Sequence, residues 1–229
     1  MSASAAPEDP SPLRRHRASI VLAVIYAVFF YWYTPFGGPL TEEEIEHYSE
    51  ILLEVQAAQG EKGSADRWIE FMRSDTGDDF AMLNALDLRD EPLQVGDVAP
   101  GESSSDVMAR YTSPFFSTAL PNAAHPVLLG TAAARAVDVW GIKGADVWDQ
   151  GGVVRYRSRR DVMRQIETIA GRARHAEGEG IHAYKIAALE KTIAYPMDPW
   201  FQLGDPRLVL GLIFLVLGLG LEVRKRPAA

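Results

Sequence analysis

The sequence predicts an α+β domain between two membrane-spanning helices. Two observations lead to this prediction: apolar runs lie near both ends of the chain, and the segment between them alternates between strand and helix patterns. The 229 residues are 47% hydrophobic and 24% charged, which excludes a disordered or fibrous chain. The chain contains no cysteine, so disulfides, thiolate metal sites and thiol nucleophiles are excluded.

The first apolar run, residues 18–34, carries no charge across 17 residues. As a helix it would span about 25 Å, close to the thickness of the hydrocarbon core. Three arginines precede the run, aromatic residues 31–33 end it, and Pro35 stops the helix. No small-residue cleavage site follows, so we predict an uncleaved transmembrane helix over residues 18–35 instead of a removed signal peptide.

The second apolar run covers residues 208–223, but its strictly apolar part ends at Leu221. A buried helix of a soluble protein can have this length. However, the run is apolar on every face, and a basic cluster follows at residues 224–226. We therefore predict a second transmembrane helix over residues 205–223.

Basic residues next to both helices set the expected topology. They predict that the tails, residues 1–17 and 224–229, are cytoplasmic, and the Ser/Ala/Pro-rich start of the first tail is expected to be disordered. Residues 35–206 contain 16 basic and 28 acidic residues, a net charge of −12, which argues against nucleic-acid binding. The expected protein is a two-pass protein of the bacterial inner membrane, with the lipid bilayer as a partner and its central domain in the periplasm or outside the cell.

An acidic helical segment, residues 36–75, is expected to follow the first membrane helix. Thr41 can cap a helix over residues 41–55 with its hydroxyl group. The three glutamates in the first turn also favour a helix that starts here. The apolar residues of this helix recur with helical spacing, and a second short helix is predicted over residues 65–73.

A domain over residues 76–199 is predicted next, and it begins with a strand. Residues 80–88 alternate so that Phe80, Met82, Asn84 and two leucines share one face. A helix follows at about 105–120, bent or interrupted by Pro114.

The second half of this domain is expected to contain three strands and two helices. A strand from His125 to Val139, a glycine turn at 141–145 and a strand over 148–157 come first. Ser158 and Asp161 have capping-box spacing and begin a helix through about residue 174, before a helical turn at 181–189 and a last strand at 191–196. The order β-α-β-β-α-β is that of a ferredoxin-like sandwich.

Three segments carry a resemblance to a known superfamily: 80–86, 148–161 and 182–192. Over residues 76–197 the chain resembles the dimeric α+β barrel superfamily, within a branch of bacterial proteins. That superfamily includes antibiotic-biosynthesis-type monooxygenases, haem-degrading enzymes, stress-response barrels and members with no assigned role. The resemblance implies a homodimer, in which two sheets pack across the dimer axis. The two flanking membrane helices differ from the usual soluble members.

Three polar residues of the predicted sheet are candidates for ligand binding. Asn84 lies among apolar residues, and a buried amide must form hydrogen bonds, so it either connects neighbouring elements or contacts a ligand. Arg135 and Arg155 are expected on neighbouring strands. Two facing arginines could hold a carboxylate ligand, although pairing with the many nearby acids is the favoured explanation.

His182 is the fourth candidate, at the start of the last helical turn. None of the five histidines has metal-ligand spacing, so we predict no metal site. His125 and His182 could ligate haem or act as a base, but a histidine bonded to backbone accounts for both positions. We predict no cofactor, with haem as the alternative, and identify no catalytic residue. Trp140 and Trp148 are expected to pack as an aromatic pair beside the glycine turn.

These observations favour a membrane-anchored domain that binds a small ligand or a partner without catalysis. An oxidoreductase or isomerase acting on a small apolar substrate inside the barrel is the first alternative, because such enzymes need few polar residues. A structural component of a membrane-protein assembly, in contact with another membrane protein, is the second.

Overall fold

The computed structural model of this chain describes residues 12–59, 65–175 and 180–224. Most of the predicted N-terminal tail and of the C-terminal tail lies outside these ranges. The chain divides into two compact units, residues 1–34 with 201–229 and residues 35–200. In chain order the elements are α1 (Pro12–Tyr33), α2 (Glu42–Gln59), α3 (Ala65–Arg73), β1 (Phe80–Leu88), α4 (Ser104–Ala119), a 3₁₀ turn (Leu120–Asn122), β2 (His125–Thr131), β3 (Gln150–Tyr156), α5 (Arg159–His175), α6 (His182–Ala188), β4 (Leu189–Met197) and α7 (Pro206–Arg224).

The first unit contains α1 and α7, which are both long and apolar enough to cross a membrane. The apolar stretch of α1 covers His16–Tyr33, and that of α7 covers Pro206–Arg224. Almost no part of either stretch is buried within the chain. Because α1 begins at Pro12, residues 12–17, which we expected in the disordered tail, are helical.

Contacts at two levels show that α1 and α7 run antiparallel. The Tyr26 hydroxyl donates a hydrogen bond to the carbonyl oxygen of Arg207 (2.8 Å), and the Ser19 hydroxyl donates to Glu222 (2.7 Å). Gly211 allows close packing, since a Cβ at this position would lie 3.0 Å from the Tyr26 hydroxyl oxygen. The start of α1 and the end of α7 therefore lie at the same end of this antiparallel helix pair.

The second unit contains one four-stranded sheet in the order β2-β3-β1-β4, and all neighbouring strands are antiparallel. The central strand β1 begins and ends at the predicted residues, 80 and 88. Its side chains alternate between the two faces, as the sequence pattern indicates. The fold is α+β, as predicted.

The strand predicted over residues 125–139 is only half as long in the structure. β2 ends at Thr131, and residues 132–149 form an irregular loop before β3 begins at Gln150. Alanine has a low preference for strands, and four of the six residues after Thr131 are alanine. Gly141 and Gly144 have φ angles of +76° and +75°, which only glycine adopts readily. Of the two outcomes predicted at Pro114, a bend or an interruption, the interruption is wrong, because α4 continues through this residue to Ala119.

Helices cover one face of the two central strands, β1 and β3. Phe80, Met82, Val154 and Tyr156 project from this covered face and belong to one buried apolar cluster. Apolar residues of α2, α3, α4 and α5 pack against them in this cluster, including the predicted stripe of α2. The members of that stripe are Ile45, Tyr48, Ile51, Leu52 and Val55.

Two predicted helix caps are present. The Thr41 hydroxyl accepts a hydrogen bond from the Glu44 amide (3.2 Å), and the Glu44 carboxylate accepts one from the Thr41 amide (2.9 Å). The Arg160 guanidinium also donates to Glu44, and this contact lowers the carboxyl pKa of Glu44 to about 2. At the start of α5, the Ser158 hydroxyl accepts a hydrogen bond from the Asp161 amide (3.1 Å), so this second cap is formed by residues of the helix start alone.

Candidate functional site

Asn84 lies on the covered face, between two apolar clusters. Phe80 and Met82 pack in the first cluster, whereas Leu86 and Leu88 pack in the second. The side-chain amide of Asn84 donates a hydrogen bond to the Met82 carbonyl (3.0 Å), so the amide bonds to its own strand. The contact is structural, and ligand binding by Asn84 stays a prediction.

Arg155 is held in a buried ion pair at one end of the sheet. Its side chain is 1% exposed, and its Nε and Nη2 donate to the Asp79 carboxylate at 3.2 and 2.7 Å. Nη1 donates to the carbonyl of Ala123 (3.0 Å). These bonds connect the start of β1, the start of β2 and β3, which is the role expected of a buried charge that must be paired.

Arg135 does not lie on a strand, so the prediction that it faces Arg155 across neighbouring strands is wrong. It belongs to the irregular loop after β2, its side chain is 79% exposed, and Nη1 lies 3.6 Å from Asp146. The error follows from the strand predicted to continue to residue 139. Each arginine pairs with its own acid, and the structure does not bring the two together.

The second face of the sheet exposes apolar side chains. We call it the open face and define it by Leu83, Leu128, Val153, Ile193 and Tyr195, which alternate with the residues of the covered face. Leu128, Ile193 and Tyr195 are 64%, 46% and 45% exposed. Large apolar residues exposed together on a sheet indicate a surface for binding.

The loop over residues 132–149 borders the open face. Between loop and sheet lies a hollow of about 500 Å³, and its lining includes Trp140, Trp148, Lys191 and Ile193. Trp148 donates its indole N–H to the Ala145 carbonyl (2.8 Å), and the Lys191 ammonium lies 4.9 Å from the Trp148 ring centroid. Trp140 is 84% exposed, so the predicted packed pair of tryptophans is wrong. Both rings instead line the same hollow.

His182 lies in a different place, at the start of α6 where this helix packs against α4. Its ring meets the Tyr111 ring edge-on, with 5.9 Å between centroids. Lys185, one turn further along α6, places its ammonium 5.4 Å from the centroid of the same ring. The Tyr111 ring stacks on Phe115 at 5.5 Å. Tyr111, His182 and Lys185 therefore form one cluster where α4 packs on α6.

Burial disfavours the charged form of Tyr111, His182 and Lys185 alike. It lowers the pKa of His182 to about 4, with a smaller contribution from the positive charge of Lys185. Burial also lowers the pKa of Lys185 and raises the pKa of the Tyr111 hydroxyl. The sequence indicates His182 as a candidate, but Tyr111 and Lys185 were not predicted. The signal for Lys185 was its spacing of three residues from His182, which places both on one helix face.

Two nearby acidic residues, Asp97 and Glu102, are bound by polar side chains of α4 and α6. Arg110 pairs with Asp97 (2.6 Å) and with Glu102 (2.6 Å), and the Tyr184 hydroxyl donates to Asp97 (2.6 Å). Lys185 forms no ion pair with any residue in the described part of the chain. Within that same part, no three histidine or acidic side chains are grouped closely enough to hold a metal ion.

Comparison with known proteins gives structural similarity only. No family model and no curated protein sequence matches the chain. The chain is similar to the crystal structure of RPA0582, a protein of unknown function from Rhodopseudomonas palustris, at 17% identity and a TM-score of 0.48 over 62% of this chain and 97% of that one. It is also similar to the methylated form of RPA0582, at 17% identity and a TM-score of 0.47 over 63% and 96%.

Proposed function

We propose that this protein is a membrane-anchored, extracytoplasmic domain that binds through its open face, without catalysis, and that a second copy of the chain covers that face. The observation that carries the proposal is the contrast between the two faces of one sheet. On the central strands β1 and β3, one face is packed under helices, while the other face of the sheet exposes leucine, isoleucine and tyrosine on the edge strands β2 and β4. Several large apolar side chains exposed together on one sheet face indicate an interaction surface in a soluble domain.

A ferredoxin-like sandwich is the fold that we propose for this domain. Its support is the strand order β2-β3-β1-β4, with helices following β1 and β3. In such a sandwich the helices lie on one side of the sheet, which leaves the other side available to a partner.

The membrane assignment rests on the character of α1 and α7. A core helix of a soluble protein is mostly buried, whereas these two helices expose nearly all of their apolar side chains. Their antiparallel packing supports the same location for both termini, and the basic residues beside them favour the cytoplasm. The bacterial inner membrane and a periplasmic or external domain complete this proposal.

Reporter fusions test the topology. A reporter that is active only outside the cytoplasm should be inactive when fused after residue 229, and active when inserted in the loop at Gly141. Activity at residue 229 would contradict the proposed topology. The Gly141 insertion is the matched control, since it shows that the reporter itself is made and folded.

A second copy is the occupant that fits the open face and its loop. Six apolar side chains there expose an area on the order of 700 Å², near the roughly 800 Å² that each partner contributes to a standard interface. The six are Leu128, Val137, Trp140, Ile142, Ile193 and Tyr195. The hollow beside Trp148 would then be enclosed by the partner, and its lining suits a small apolar ligand.

Native mass spectrometry of the full chain in mild detergent tests this interface. We expect a dimer, and we expect Ile193→Arg to convert it to a monomer because a charge would be buried without a partner. Leu53→Arg is the matched control, since Leu53 is 51% exposed on α2 and should leave the dimer intact. A monomeric wild-type protein, or a complex with other chains, would contradict the proposed dimer.

A further inference from the structure

A second hollow lies at the end of the sheet opposite to Arg155, and polar groups line it. It has a volume of about 500 Å³ and forms where the end of β1, the start of β3 and the N-terminus of α4 come together. We call it the polar hollow, and it shares no lining residue with the hollow beside Trp148. Its charged and hydroxyl-bearing lining includes Arg89, Asp90, Asp149 and the serines 103–105.

The N-terminus of α4 supplies hydrogen-bond donors to the polar hollow. The Ser103 hydroxyl caps this helix, because it accepts a hydrogen bond from the Asp106 amide (3.1 Å) and donates one to the Asp106 carboxylate (2.6 Å). Ser104 and Ser105 are the first two residues of the helix, and amides in these positions have no acceptor within the helix. Together with the helix dipole, such amides attract a negatively charged group.

Two buried polar atoms of this lining have unused hydrogen-bonding capacity. The Oγ atom of Ser104, a residue that is only 4% exposed, and the Nε atom of Arg89 form no hydrogen bond within the described part of the chain. Other bonds of Arg89 hold it in place, since its amide donates to the Ala188 carbonyl (2.9 Å) and its Nη1 donates to Glu190. A buried donor without an acceptor is costly, so a ligand that brings negatively charged oxygen atoms is the fitting partner for these groups.

Two carboxylates of the same lining determine what else the ligand carries. Asp90 and Asp149 are both exposed, and the Asp149 carboxylate accepts a hydrogen bond from the Leu88 amide (2.6 Å). These two negative charges repel a doubly charged phosphate, whereas they attract an ammonium group. A small molecule with one carboxylate and one ammonium group a few atoms apart therefore matches both parts of the lining.

We propose that the polar hollow binds a free amino acid as its zwitterion. The carboxylate of the amino acid lies at the first turn of α4, where the Ser104 and Ser105 amides, the Ser104 hydroxyl and Arg89 donate to it. The ammonium group lies towards Asp90 and Asp149. This site is separate from the open face, and its occupation does not require the proposed dimer.

Thermal unfolding of the full chain in mild detergent tests the proposal. Each of the common amino acids is compared at equal concentration with propionate, ethylamine and inorganic phosphate, and calorimetric titration then gives the Kd. We expect at least one amino acid to raise the Tm, because a ligand that binds only the folded state stabilises it, and we expect no rise with the three comparison compounds. If no amino acid raises the Tm, or if propionate or phosphate binds as tightly, the proposal is overturned.

Ser104→Ala tests the place of the carboxylate. The variant removes a buried hydroxyl that has no partner in the described part of the chain, so the free protein should keep its Tm while the affinity for the amino acid falls about tenfold. Ser117→Ala, at an exposed position of the same helix, is the matched control and should change neither quantity. Unchanged affinity in Ser104→Ala would show that the carboxylate does not lie at the start of α4.

Asp149→Asn tests the place of the ammonium group. The asparagine side chain retains an oxygen that can accept from the Leu88 amide, so the loop stays in place while the negative charge is lost. We expect the affinity for the amino acid to fall several-fold, because the ammonium group loses an attraction. An affinity equal to that of the wild-type protein would contradict the proposed zwitterion.

Discussion

Replacing Arg155 by methionine is expected to destabilise the domain by about 3–5 kcal/mol, the usual cost of removing one partner of a buried ion pair. The guanidinium is 1% exposed and makes bonds to Asp79 and to the Ala123 carbonyl. Its loss leaves a carboxylate that is only 20% exposed without its cation. It also leaves a buried carbonyl that has lost a donor, which adds to the cost.

The measurement is urea unfolding of the full chain in mild detergent, followed by near-ultraviolet circular dichroism. Arg135→Met is the matched control, because its exposed pair with Asp146 should contribute less than about 0.5 kcal/mol. The double variant Arg155→Met with Asp79→Leu should recover part of the loss, since it leaves no charge unpaired. Equal effects of the two single arginine variants would show that the buried pair contributes nothing to stability.

Local signals account for the parts of the fold that the sequence predicted well. The limits of β1 follow from a turn at residues 75–79 and from alternation that stops after Leu88. Thr41 and Ser158 mark helix starts because an N-cap is read from a few adjacent residues. Each of these signals lies within one element, so the rest of the chain is not needed to recognise it.

Pairings between distant residues account for the parts that the sequence did not predict. Asp79, the partner of Arg155, lies 76 positions away, and no local pattern selects it from the 31 acidic residues of the chain. Tyr111 and Lys185 meet only because α4 packs on α6. The sequence did not predict where β2 ends, because alanine disfavours a strand only weakly. The strand was therefore predicted to continue to residue 139, and this error placed Arg135 on it.

The turn after α3 provides a second test of long-range packing. Gly77 has φ of +84°, and a Cβ on this residue would lie 2.6 Å from the carbonyl carbon of Gly38. Asp75, in the same turn, accepts a hydrogen bond from the Leu40 amide (2.8 Å). The turn and residues 38–40 therefore pack backbone against backbone, with no flexible side chain between them to yield.

Gly77→Ala is expected to destabilise the domain by about 2–5 kcal/mol, from left-handed strain and from the contact with Gly38 together. Gly101→Ala separates these two causes, since Gly101 has φ of +81° and nothing lies within 4 Å of a Cβ there. That control should lose only about 1–2 kcal/mol, the strain alone. Urea unfolding gives both values, and hydrogen exchange should show lost protection of the Leu40 amide in Gly77→Ala only. If both variants lose the same stability, the backbone contact at Gly38 does not hold residues 38–40 in place.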